Sequence, residues 1–278
     1  MFRLFYLSIA GCLFAANAFA VRESKAPALS KFWKDGKYCR QDNIDLMRTG
    51  QGIIRAKVEG KWQQFNIQTL PQGFMEWNLR ERSKSLEGLR KGEMPNFAGP
   101  HSGMVASHGF NRGDSRITIN NAVKGMGFLP KAEAIGKLLE ELKASADSSM
   151  EYKLNWLSDL YGKRKDLLDD TKQVSLELYA KPDYVTHTFL NQMTDPAVSI
   201  VFLDIPSYEV RAITQLIDPN DPDLTDMQKQ TVEYVNGIHD YFHGAAPRRS
   251  IVAVYHIIEI FDNSPGKARG KRVVPPLP

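Results

Sequence analysis

The stretch Thr194-Asp-Pro-Ala-Val-Ser-Ile-Val-Phe-Leu-Asp204 restricts the fold more than any other part of the chain. Residues 198–205 carry apolar side chains on both faces, the pattern of a strand buried on two sides. Such a strand needs partners in a sheet and cover above and below it, and the flanking sequence offers both. Val174-Ser-Leu-Glu-Leu-Tyr179 alternates as a strand does, and residues 186–193 have the length of a short helix. Pro206-Ser207 turns the chain into a second strand over 208–217, which Asp218-Pro-Asn-Asp-Pro222 ends. Thr225-Asp-Met-Gln228 is a capping box opening a helix with Thr231, Tyr234, Val235 and Ile238 on its buried stripe. Residues 251–261 close the unit as a long strand, and a regular alternation there sets His256 and Glu259 on opposite faces.

Upstream, Ile54, Ala56 and Val58 alternate with Arg55 and Lys57, Glu59-Gly60 turns, and residues 62–70 return as the second strand of a hairpin. Phe65 and Ile67 face one way and Gln64, Asn66 and Gln68 the other, so one sheet face is polar. Asn43 is placed to cap a short helix over 44–48. Residues 75–90 read as a charged helix, and Pro95 to Asp114, rich in Gly, Pro and Asn, as a loop carrying His101 and His108. A short strand over 116–122 and two amphipathic helices over 132–143 and 150–168 follow. The pattern predicts an α+β chain with an antiparallel, split β-barrel and an inserted helical region. Residues 21–278 form a single globular domain in this reading, with 72–170 as a mostly helical and loop insertion.

Arg3, the apolar run 4–14 and Ala18-Phe19-Ala20 have the three parts of a signal peptide, so residues 1–20 are expected to be removed on export to the periplasm or medium. Ile9-Ala-Gly-Cys12 also matches a lipoprotein box that would anchor the chain at Cys12, and this ranks second. Cleavage after Ala20 leaves Cys39 as the remaining cysteine, so the core is expected to hold without an internal disulfide. The net charge of +4 draws on a run of Lys267, Arg269, Lys271 and Arg272, read as a solvated tail. No nucleic-acid motif, Gly-x-Ser-x-Gly, P-loop or Gly-x-Gly-x-x-Gly turn is present, and no stretch after the leader is apolar for the length of a membrane span.

All six histidines lie after residue 100. His239 and His243, four apart near a helix end, share a face and are the best candidates for a divalent metal site. Asp240, where a metalloprotease helix has Glu, removes the His-Glu-x-x-His motif. His256, on an apolar strand face, is expected to be a hydrogen-bonded core residue.

The order of strands and helices, with Phe189-Leu-Asn-Gln-Met-Thr-Asp-Pro-Ala-Val-Ser-Ile-Val-Phe202 and Glu209-Val-Arg-Ala-Ile-Thr-Gln-Leu-Ile-Asp218, resembles the flavin-binding split barrel of the pyridoxamine 5'-phosphate oxidase-like families. The hairpin 52–70 is similar to that fold's opening strands. The resemblance implies an FMN cofactor whose phosphate is held at Thr186, His187 and Thr188, with His187 where a lysine or arginine is usual. The expected function is therefore an exported protein binding a flavin-type cofactor in redox chemistry. The alternatives are a metal-binding protein or metal-dependent hydrolase centred on His239 and His243, and a non-catalytic binding protein of the cell envelope. The expected partners are a small-molecule ligand or cofactor and a second copy of the chain, with no nucleic acid.

Overall fold

The computed structural model describes residues 31–94, 98–266 and 270–277. The leader-like residues 1–20 with Cys12, and Lys267 and Arg269 of the basic run, lie outside the described residues. In chain order the elements are β1 (Trp33–Lys34), β2 (Tyr38–Cys39), β3 (Ile44–Asp45), β4 (Ile53–Val58), β5 (Lys61–Asn66) and α1 (Gln72–Arg90). Next come β6 (Ser102–Ser107), β7 (Asn120–Gly125), α2 (Ala132–Ala144), α3 (Met150–Gly162), β8 (Lys172–Glu177) and α4 (His187–Thr194). The chain ends with β9 (Ala197–Phe202), β10 (Tyr208–Ile217), α5 (Asp226–His243), β11 (Ile251–Asp262) and β12 (Lys271–Val274).

The architecture is α+β, built on a seven-stranded antiparallel sheet of order β12-β11-β10-β9-β6-β7, with β8 paired to the other part of β11. The sheet curls until its ends approach. Gly127 and Val174 exchange both backbone hydrogen bonds, at 2.8 and 2.9 Å, and Lys124 on β7 reaches Glu177 on β8 at 2.7 Å. Between those two contacts no ladder joins β7 to β8, so the barrel is stitched along a seam there.

Register fixes what faces inward. Val105, Ile200 and Val210 lie opposite one another across β6, β9 and β10, as do Val198 with Ala212 and Ala212 with Ile257. These positions are almost wholly buried. At one end α1 covers the interior with Phe74 and Trp77, whose rings lie 5.2–5.7 Å from those of Phe202 and Tyr208. Edge-to-face aromatic pairs of this kind add to the gain from area burial. At the other end α4 enters, capped by Thr186, which accepts from Phe189 N at 3.1 Å. This end is polar: Asn191 donates to Ser107 at 3.2 Å, and Thr188 accepts from Asn120 at 2.9 Å.

Several elements differ from expectation. The hairpin 52–70 does not open the barrel; β3, β4 and β5 make a separate three-stranded sheet. Its Ile54 and Ala56 lie face-down on Ile213 of β10, while β6 and β7 take the positions beside β9. Residues 72–170 are thus not set apart from the sheet, because they supply two of its strands. The Gly- and Pro-rich stretch 95–114, expected as a loop, contains β6. Gly103 is needed there: a Cβ would meet Met126 Cγ at 2.7 Å and Ile200 Cγ2 at 2.8 Å. The helix expected over 44–48 is instead strand β3 and a turn, since Ile44 and Asp45 pair with Ala56 and Arg55. The expected strand 116–122 begins later, at Asn120. In β11 the register passes from Arg211↔Glu259 to Ala212↔Ile257, leaving Ile258 as a bulge. The bulge reverses the alternation, so His256 and Glu259 share the outer face instead of pointing apart. Finally, β9 is buried on its inner face alone, with Ala197, Ser199 and Val201 half-buried on the outer one.

Cutting the side-chain stitch at the seam leaves a buried carboxylate without its cation. Lys124→Ala is expected to cost about 3–5 kcal/mol by chemical denaturation, and Lys124→Met with Glu177→Leu to recover most of that.

Candidate functional site

A groove of about 450 Å³ lies on the outer face of the large sheet, roofed by the hairpin sheet. Val58 and Phe65 come from the roof, Ile119, Ala197, Ile213 and Ile258 form apolar walls, and His108, Ser199, Arg211 and Glu259 bring polar groups. A cavity of this size, mostly apolar with a few convergent polar groups, has the character of a small-molecule site. The bulge at Ile258 helps to shape it by turning Glu259 outward beside Arg211.

Its polar groups form two sets. On β10 and β11, Arg211 bonds Glu209 at 2.9 Å and lies 3.5 Å from Glu259, which also pairs with Arg272 at 3.0 Å. Ser199 donates to Glu209 at 3.0 Å. On the β6 side, half-exposed His108 lies 4.0 Å from the buried carboxylate of Asp195. Asp195 is fixed by backbone donors, Glu59 N at 2.7 Å and Ala197 N at 3.1 Å. Gly109 permits the approach: its φ is +118°, and a Cβ would stand 2.9 Å from Asp195 Cβ.

Thr186, His187 and Thr188 do not line this groove. Thr186 caps α4 and lies 3.3 Å from Glu177, and Thr188 is buried against Asn120. His187 Nδ1 accepts from Arg112, and burial together with that guanidinium holds the imidazole below its ordinary pKa. Arg112 is paired with Asp114, and Lys124 with Glu177. Both nearby cations are neutralised and both hydroxyls are committed, so these residues do not fit an open phosphate cradle. Sequence reasoning misses Arg112 and Lys124 because they come from the stretch that reads as an insertion.

His239 and His243 do come together, with ring centroids 4.9 Å apart. Among the described residues no group of three or more His, Cys, Asp or Glu side chains is arranged to hold a metal. Asp240, 3.5 Å from His239, is engaged with Arg249 at 2.7 Å. His101 accepts from the buried Arg82, which also donates to Asn78 and to the carbonyls of Pro100 and Met126, tying α1 to the flanks of β6 and β7. His256 is the hydrogen-bonded core histidine expected, with Nε2 3.1 Å from Gln215 Oε1.

Beneath α4 the barrel interior is polar. Gln173, Glu177, Gln192, Thr214 and Tyr255 are fully buried, and Gln173, Glu177 and Thr214 each keep a side-chain N or O atom without a protein partner among the described residues. Buried groups of this kind in folded proteins are commonly bridged by ordered water.

Burial, reinforced by Lys172, pushes His256 down to about 3; burial and Arg82 do the same for His101. Unfolded imidazoles take up a proton near pH 6.5, so stability is complete above that pH and falls as the pH drops toward 3. Between pH 7.5 and 5, His256 alone is expected to cost on the order of 2 kcal/mol, read from urea midpoints, and His256→Asn to flatten the fall.

No protein-family model and no curated protein sequence matches the chain. Among solved structures it is similar to the 1.70 Å crystal structure of HupZ from Group A Streptococcus, carrying V5 and hexahistidine tags, at 13% identity and a TM-score of 0.33, over 61% of this chain and 90% of that one. No helix among the described residues is long and apolar enough to cross a membrane.

Proposed function

We propose that this chain is an exported protein that binds a planar, flavin-type small molecule in the groove between its two sheets. The observation that carries the reading is the groove itself: apolar walls from both sheets, about 450 Å³ of space, and ionisable groups at its margins. The ligand would lie on the outer face of β6, β9, β10 and β11, away from Thr186 and Thr188. Export rests on the signal-peptide pattern of residues 1–20.

We extend the reading to a homodimer. Val123, Met104 and Val201 lie side by side on the outer face across β7, β6 and β9, with Ile119, Leu203 and Ile205 exposed near them. The two-sided apolar pattern of 198–205 fits a strand whose outer face receives cover from a second copy.

The purified mature protein is expected to begin at Val21 by intact mass. It should carry flavin absorbance or bind added FMN by calorimetry, and Ala106→Trp, which fills the groove, should abolish binding without loss of fold. No uptake of FMN by the wild type would remove the flavin reading. Sedimentation should give twice the chain mass, reduced to one chain by Val201→Glu.

A further inference from the structure

The groove is chemically lopsided. The strands that floor it run in the order β6, β9, β10, β11, so Arg211 on β10 stands two strand spacings, roughly 10 Å, from β6, and Glu259 on β11 three, roughly 14 Å. On the β11 side every charge has a partner: Arg211 with Glu209 and Glu259, and Glu259 also with Arg272. The β6 side holds one ionisable group that is half-exposed and directed at no cation, His108.

His108 is not placed there by chance packing. Gly109 lets the end of β6 pass against the Asp195-Pro196 corner, where any side chain at 109 would collide with Asp195 Cβ. The Asp195 carboxylate is anchored by two backbone N–H groups and buried, so it cannot swing out to solvent, and its Oδ2 faces His108 Nε2 at 4.0 Å. One ring nitrogen is thereby turned toward a fixed anion. The other, Nδ1, has no protein partner among the described residues, and the ring lines the groove. An imidazole backed by a carboxylate on one nitrogen and open on the other suits the donation of a charge-assisted hydrogen bond to an anion.

We infer that His108 is the groove's anion-recognising, proton-exchanging residue: the ligand carries a negative charge that it presents at the β6 end, and binding draws a proton from solvent onto the imidazole. This rests on the small-molecule reading of the groove and narrows it to small aromatic anions. The charged groups that bear on His108 are Asp195 from the α4–β9 corner, Glu59 at the hairpin turn whose N–H holds Asp195, and Arg211 and Glu259 at the far side. The Arg211 charge is taken up by its two carboxylates, so the ligand's anion is the partner that completes His108.

The test is calorimetry of FMN binding to the full mature chain at pH 7.5 in two buffers of different ionisation enthalpy. Wild type is expected to take up protons from the buffer on binding FMN. His108→Gln should take up none and bind about tenfold or more weakly, the loss typical of a hydrogen bond to a charged group. As a check that needs no variant, the NMR titration of the His108 ring in wild type should move to higher pH when FMN is added. Equal proton uptake and affinity in the two proteins, or an unmoved titration, would overturn the inference while leaving the groove a ligand site. Failure of wild type to bind FMN would instead overturn the flavin-type reading itself, and this refinement with it.

Discussion

The closure of the sheet between β7 and β8 is the constraint on which the remaining architecture depends. Five antiparallel pairings carry the ladder from β7 round to β8, and at the last step continuous pairing gives way to one backbone couple, Gly127 with Val174, and one ion pair, Lys124 with Glu177. A buried ion pair contributes little net stability against an apolar replacement, but it is costly to break on one side only. Its value here is in specificity: with Glu177 fixed on β8, β7 has one position in which Lys124 is satisfied. That position also puts Asn120 over Thr188 and the end of β6 against Asn191.

The two ends of the barrel are closed by different chemistry. Phe74 and Trp77 of α1 seal one end with aromatic rings, where dispersion and area burial dominate. Helix α4 closes the other with amides and hydroxyls. Asp195, just past the C-terminal end of α4, extends that polar closure outward by holding the hairpin turn through Glu59 N and facing His108. One carboxylate therefore connects the barrel end, the roof sheet and the groove.

The C-terminal half is largely legible in the sequence. Its strands are long and strongly patterned, the Thr225 capping box forms as written, and His256 takes its place in the core. What sequence does not show depends on tertiary competition. Ser102–Ser107 has few β-branched residues and a glycine, because β6 passes close to Met126 and Ile200, and this composition resembles a loop. The hairpin 52–70 has an unmistakable local signal, yet local pattern does not say whether a hairpin joins a sheet by its edge or lies on its face. The bulge at Ile258 leaves no mark in the apolar alternation, which hides the shared face of His256 and Glu259. The groove is invisible to local pattern because its members lie on five segments far apart in the sequence, and Asp195 carries the local signature of a turn residue and nothing more.

The roof sheet meets the barrel through a small apolar contact centred on Ile54, Ala56 and Ile213 and through a few hydrogen bonds, among them Gln68 N to the Ile257 carbonyl. Strand β5 is exposed along nearly its whole length. A unit held by so little can unfold by itself while the barrel stays intact. An occupant of the groove, touching both sheets, would act as a clamp that couples the two units.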